Sequence, residues 1–174
     1  MMSVNLSPRQ LVTGEIIDTV SELLTAVDLP PDCLCLEITE STVAVNSVAC
    51  AETLEGLKRI GVRLSLDDFG TGQSTLATLG NYPFDMLKID QSFIARVDSD
   101  EKGRRIFACA VGLAQALGLT AVTEGIETPE QLAFSVSVGC DIAQGYFISE
   151  PYPAEIITPM LTGGFDHAIP RAFL

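Results

Sequence analysis

The chain has 174 residues, of which 47% are hydrophobic and 19% charged, and its formal net charge is −13. That length and apolar content suit one folded core and exclude a disordered tail, and so few cations exclude a basic groove for long nucleic acids. No stretch approaches the roughly 20 apolar residues of a membrane span and no basic leader precedes an apolar block, so the sequence reads as soluble and cytoplasmic.

Read from the start, Ser3–Leu6 is a short apolar strand, followed by a helix over Pro8–Ala26 with Leu11, Ile16, Val20, Leu23 and Leu24 near one face. A strand at Cys33–Ile38 leads to a helix over Ser47–Ile60, which Gly61 ends. Strand Arg63–Leu66 is followed by a shorter helix, Gln73–Leu79, broken by the segment 80–83. Strand Met86–Ile89 precedes the longest helix, Lys102–Leu117, stopped by Gly118. Strand Leu119–Thr123, helix Pro129–Val138 with proline in its first turn, and strand Ile142–Phe147 complete the series.

Strands alternating with helices predict a parallel α/β sheet. Eight such units in about 250 residues close a standard barrel, and six are present here. The expectation is therefore a TIM-like (β/α)8-type barrel, truncated at its N-terminal side to about six βα units. It would occupy residues 1–157, with a C-terminal tail over 158–174. The alternative, an open doubly wound sheet, lacks its glycine-rich fingerprint after the first strand.

The strand ends carry the chemistry. They are Asn5, Glu37, Asp67 with Asp68, Lys88 with Asp90, Glu124 and Gln144. In a parallel barrel all of these lie on one face. Lys88 and Asp90 are two residues apart and share a side of their strand, as do Cys35 and Glu37. Adjacent Asp67 and Asp68 would diverge on a regular strand, and the turn at Phe69-Gly70-Thr71-Gly72 is expected to bring both to one centre. Crowded carboxylates without histidine or thiolate support favour magnesium or manganese over zinc. Two adjacent aspartates suit a bridge between two ions about 3.5–4 Å apart, the arrangement that clamps a phosphoryl displacement. Independent caps and solvated acids are the plainer reading, set aside because the acids recur at successive strand ends. Cys33, Cys35, Cys50, Cys109 and Cys140 form no C-x-x-C pair and read as reduced thiols. The single histidine, His167, has no ligand partner nearby and reads as a surface residue.

In order, Val4-Asn5-Leu6-Ser7, Glu37-Ile38-Thr39-Glu40-Ser41, Asp67-Asp68-Phe69-Gly70-Thr71-Gly72, Leu87-Lys88-Ile89-Asp90, Glu124-Gly125-Ile126-Glu127-Thr128 and Ala143-Gln144-Gly145-Tyr146 resemble the EAL family of bacterial cyclic-di-GMP phosphodiesterases. The resemblance runs from about Ser3 to Glu155 and implies hydrolysis of cyclic di-GMP to linear pGpG with two Mg²⁺ or Mn²⁺ ions. It implies Asn5, Glu37 and Asp67 as ligands of one ion, Asp67 and Asp68 as ligands of the second, and Asp90 in support. It makes Lys88 the holder of the attacking water and Glu124 the group that positions or deprotonates it. Gln144 and Glu127 would line the pocket, and Glu40 would steady the loop after Asp68. A homodimer and an upstream sensory or diguanylate-cyclase-like domain are further implications. The Glu-Ala-Leu tripeptide itself, and the arginine that follows it in the family, appear nowhere in this sequence. Gln73 stands where the family has an aromatic residue. Two readings compete with the enzyme: a module that binds cyclic di-GMP or a protein partner without hydrolysis, and a fragment of a longer signalling protein.

Overall fold

The computed structural model describes all residues except 45–47, 73–75, 99 and 164–174. Gln73, Ser47 at the expected start of the second long helix, and His167 lie outside the described residues.

Six parallel strands form one sheet in sequence order, a TIM-barrel-like α/β arrangement with β1 (Met2–Asn5) and β6 (Ile142–Ala143) at its two edges. Between them lie β2 (Leu34–Thr39), β3 (Arg63–Phe69), β4 (Met86–Ile89) and β5 (Thr120–Thr123). The crossovers are helical. The first contains α1 (Pro8–Thr13) and α2 (Ile16–Ala26), the second α3 (Glu40–Ala44) and α4 (Val48–Ile60), and the third α5 (Leu76–Asn81). The fourth holds α6 (Gln91–Ile94) and α7 (Glu101–Ala116), the fifth α8 (Pro129–Ser137), and α9 (Ala154–Gly163) follows β6.

Strand alternation sorts the residues. Leu36, Ile38, Leu64, Leu66, Leu87, Ile89 and Ala121 point out towards the helices and join Leu11, Leu54, Leu57, Phe107 and Val111 in the main core. The other parity faces inward, where Cys35, Met86 and Val122 form a separate small cluster. Thus each buried strand is apolar on the helix side and progressively polar along the inner side towards its C-terminal end. On α4, Cys50, Thr53, Leu54 and Leu57 are buried at helical spacing, and the chain turns at Gly61 with φ 101°.

Several boundaries differ from the sequence reading for local reasons. The first helix is two helices, because Gly14 takes a left-handed φ of 70° and ends α1. Its start is fixed by Ser7, whose backbone N–H donates to Gln10 Oε1 at 3.0 Å. The last strand is only two residues long, since the chain leaves the sheet at Gln144 to cross the backbone of Ile126. Short α3 and α6 begin directly at strand ends, and α9 runs across position 158, where a tail was expected to begin.

Two aspartates clamp the opposite, N-terminal ends of the strands in the same way. Asp85, just before β4, receives the Leu64 N–H on its carboxylate and donates its own N–H to Leu64 O, both at 2.8 Å. Asp141, just before β6, repeats this with Ala121 at 2.8 and 3.1 Å. Lys58 Nζ closes on Asp85 at 2.7 Å and balances its charge. These clamps set the register of neighbouring strands, and so fix which residues reach the far end together. Among the described residues no helix is long and apolar enough to cross a membrane.

Candidate active site at the strand ends

The register places Asn5 opposite Glu37, and Glu37 opposite Ser65. One inner-face position further along β3 stands Asp67, opposite Thr39. Lys88 rises from β4 on the same side and is 6% exposed. Its Nζ lies 2.9 Å from Glu37 Oε2, 2.9 Å from Asp67 Oδ1 and 2.7 Å from Glu124 Oε1. One buried ammonium therefore ties together carboxylates from β2, β3 and the end of β5. Burial alone would lower its pKa, but the contacts to Glu124, Asp67 and Glu37 prevail and hold it above the ordinary lysine value.

Asp67 and Asp68 reach one centre by a device the glycine turn did not suggest. β3 does not stop at Leu66 but continues to Phe69 through a bulge. Leu66 pairs with Leu87 and Phe69 with Ile89, three residues on one strand against two on the other. Asp68 itself takes the left-handed conformation, φ 56°. The extra residue cancels the divergence of adjacent side chains. As a result Asp67, Asp68 and Glu124 each offer a carboxylate oxygen within 4.8 Å of the others.

That group is short of positive charge. Burial, then the neighbouring Asp67 and Asp90 carboxylates, push the Asp68 carboxyl above its ordinary value. Burial likewise raises Glu124, against the pull of Lys88. Asp67 Oδ1 is buried and, although ion-paired with Lys88, lacks a hydrogen-bond donor in good geometry. Hard oxygen donors, mutual repulsion and an under-satisfied buried oxygen fit a divalent cation.

The remaining expected residues fall into three places. Asp90 caps α6, its Oδ1 receiving the Ser92 N–H at 2.9 Å, and it lines a cleft of about 350 Å³ with Asp68, Glu124, Glu127 and Gln144. Glu40, only 2% exposed, receives the Gly70 N–H at 2.8 Å and the Gly72 N–H at 3.3 Å on Oε2. It thereby pins the loop that follows Asp68. Asn5 ends the edge strand β1, whose four residues are all exposed. Among the described residues the carboxylates that cluster at ligand spacing are thus Asp67, Asp68 and Glu124; Lys88 joins Glu37 to Asp67 and Glu124, and Asp90 caps α6.

Sequence reasoning missed Tyr146 and Gln91, which also line the cleft. Neither ends a strand, so no periodicity marks them. It also missed Ser65, a buried hydroxyl without a hydrogen-bond partner on the inner face. Cys35 lies beside it, its thiol pushed up to about 11 by burial and then by Glu37, which makes it a poor nucleophile.

Comparison with known proteins places this arrangement. The EAL domain family matches residues 1–151. The cyclic di-GMP phosphodiesterase RocR of Pseudomonas aeruginosa is 36% identical over 154 residues, covering 88% of this chain and 39% of RocR. A cyclic-di-GMP complex of the MucR phosphodiesterase of Pseudomonas aeruginosa superposes with a TM-score of 0.83 at 39% identity, over 89% of this chain and 63% of that one. A manganese and cyclic-di-GMP complex of Klebsiella pneumoniae BlrP1 gives a TM-score of 0.80 at 31% identity, over 86% and 38% of the two chains. The chain spans between about a fifth and two fifths of the length of the curated relatives it matches.

Proposed function

The chain belongs to the EAL-domain family, and from that premise we propose that it is a phosphodiesterase domain that hydrolyses cyclic di-GMP to linear pGpG. The observation that carries the reading is the convergence of Glu37, Asp67 and Glu124 on the Lys88 ammonium, beside Asp68, at one end of the sheet. The proposed cofactors are two Mg²⁺ or Mn²⁺ ions. Asn5, Glu37 and Asp67 would hold one, and Asp67 and Asp68 the other, with Asp90 in support. When bound, such ions neutralise phosphoryl oxygens and acidify a water.

The protein's own groups do the rest. Lys88 donates hydrogen bonds and keeps a fixed positive charge where the attacking water and the phosphate meet. Glu124, whose carboxylate is raised by burial, is suited to take a proton from that water at Oε1. Gln144 presents an amide to the substrate in the cleft it shares with Glu127. Glu40 holds the Gly70–Gly72 segment so that Asp68 keeps its left-handed backbone.

The test is chromatographic detection of pGpG from cyclic di-GMP, using the chain with Mn²⁺ or Mg²⁺ and Asp67→Asn as control. Turnover that disappears in the control supports the proposal. A folded chain that produces no pGpG overturns it in favour of a non-hydrolytic binding module. Equal Mn²⁺ affinity in the parent and the Asp67 variant overturns the ligand assignment.

A further inference from the structure

The inner face of the sheet changes chemistry one layer below Lys88. There Ser3, Cys35, Ser65 and Met86 line a cavity of about 70 Å³, with Glu37 and Lys88 on its wall towards the carboxylate cluster. The strand register explains how they meet. Ser65 pairs with Met86 on one side and with Glu37 on the other, and Cys35 precedes Glu37 on the same face of β2. Because serine is small, Cys35 and Met86 reach across it from the flanking strands, and their sulfurs stand 3.8 Å apart. A thiol, a thioether and a hydroxyl thus come together from three successive strands.

Packing accounts for only two of the three. Cys35 and Met86 form an ordinary apolar cluster with Val122. Ser65 does not belong in one: it is 1% exposed, and its Oγ has no hydrogen-bond partner among the described residues. Burying such a hydroxyl unpaired costs about 1–3 kcal/mol, which a ligand in the cavity would offset. The sulfurs decide what that ligand is. An ion ~2.3 Å from both, the zinc–thiolate distance, would subtend about 110° across their 3.8 Å separation and leave a side open to the Ser65 oxygen. Thiolate and thioether sulfur select soft ions such as Cu⁺, whereas carboxylate oxygens suit hard divalent ones. A monovalent ion also meets the charge requirement of a buried site. It takes the place of the Cys35 thiol proton, which leaves to solvent, so the bore gains no net charge.

We propose that Cys35, Met86 and Ser65 form a site for one soft monovalent cation, Cu⁺ or its analogue Ag⁺, in the bore beneath the carboxylate cluster. The two layers then sort ions by softness, oxygen donors above and sulfur donors below. The site stands apart from the phosphodiesterase reading and draws on none of the residues proposed to hold Mg²⁺ or Mn²⁺.

The experiment is anaerobic titration of Cu⁺ against a chromophoric Cu⁺ chelator, with excess Mn²⁺ present, for the parent, Cys35→Ser, Met86→Leu and Cys109→Ser. The parent should take one Cu⁺ from the chelator despite the Mn²⁺. Loss of an outer contact already costs a metal site roughly 10–100-fold, so Cys35→Ser should bind about 100-fold or more weakly and Met86→Leu about 10-fold. Cys109→Ser, which alters an exposed thiol, should match the parent. X-ray absorption of the loaded parent should show two sulfur neighbours, and of Met86→Leu one. A parent that takes up no Cu⁺, a Cys35→Ser variant that binds like the parent, or a loaded parent with a single sulfur neighbour overturns the site. Met86→Leu keeps the core volume and should cost less than about 1.5 kcal/mol, so its weaker binding is separable from loss of fold by its melting curve. No outcome depends on hydrolysis, so failure here leaves the phosphodiesterase reading standing.

Discussion

Replacing Lys88 by methionine tests the electrostatic centre of the site. The methionine keeps much of the volume and removes the charge. Three carboxylate oxygens then face one another across the space the ammonium occupied, at former distances of 2.9, 2.9 and 2.7 Å. At an effective dielectric near 20 each such contact is worth about 6 kcal/mol of Coulomb attraction. Most of that offsets the desolvation of four buried charges, so removing one partner should destabilise by about 3–5 kcal/mol. For a chain of this size the midpoint of thermal unfolding, followed by circular dichroism in EDTA at pH 7, should fall by about 6–20 °C. The deficit should shrink on acidification, because the orphaned carboxylates can then take up protons. It should also shrink with added Mn²⁺, which restores positive charge to the same oxygens. A midpoint within about 2 °C of the parent at pH 7 would refute the view that Lys88 holds these strand ends together.

Other consequences follow from the same geometry. In the metal-free parent, Lys88 titrates above the ordinary lysine value in the folded state, so its stabilisation is complete below about pH 10.4 and is lost as pH rises through the raised folded value; an alkaline unfolding limb missing from Lys88→Met would confirm it. Glu124 and Asp68 are raised above ordinary carboxylates, so they make stability decline as pH rises from the unfolded carboxylate range to their folded values; stability curves that stay flat there in EDTA would contradict this. Glu40→Ala removes the acceptor of the Gly70 and Gly72 N–H groups, and should cost about 1.5–3 kcal/mol in urea unfolding and speed hydrogen exchange at both glycines. Asp85→Ala loses both the Leu64 clamp and the Lys58 pair, with an expected cost of about 2 kcal/mol; unchanged urea stability would argue against a register role.

The position of the site could be read from sequence because parallel strands have one polarity. Once Cys33–Ile38, Arg63–Leu66 and Met86–Ile89 read as strands, Glu37, Asp67 and Lys88 had to meet at a common end, and the alternation of Cys35 with Glu37 fixed the inner face. What escaped was local backbone geometry. The bulge at Asp67-Asp68 inserts one residue without any glycine or proline at the insertion point, and a left-handed aspartate leaves no compositional trace. Gly14 lies inside an amphipathic pattern that continues on both sides, yet its left-handed φ splits the helix. Residues 144–147 have strand composition, but they leave the sheet because Gly145 rests against Ile126, a contact between segments about twenty positions apart. Tyr146 inherits its place in the cleft from that contact, so only the folded chain reveals it.

The charge balance also bears on how a strongly acidic domain would accept the anionic substrate proposed for it. Glu37, Asp67 and Glu124 close on Lys88 while Asp68 and Asp90 line the adjoining cleft, and Asp68 and Glu124 register the excess as raised affinity for protons. Left alone, the cleft would repel a dianionic dinucleotide. On the proposed function, divalent ions would convert the same oxygens from a barrier into a cradle, so cation and substrate should bind with positive linkage. Removing one carboxylate then has opposite effects on the two partners. Asp68→Asn should weaken the cation, yet raise the cation-free affinity for inorganic phosphate by lessening repulsion. Titration of phosphate in EDTA, compared with Mn²⁺ titration of the same variant, would measure both. If the variant weakened both together, repulsion would not be what excludes the anion, and the role of the cations as charge neutralisers would fail.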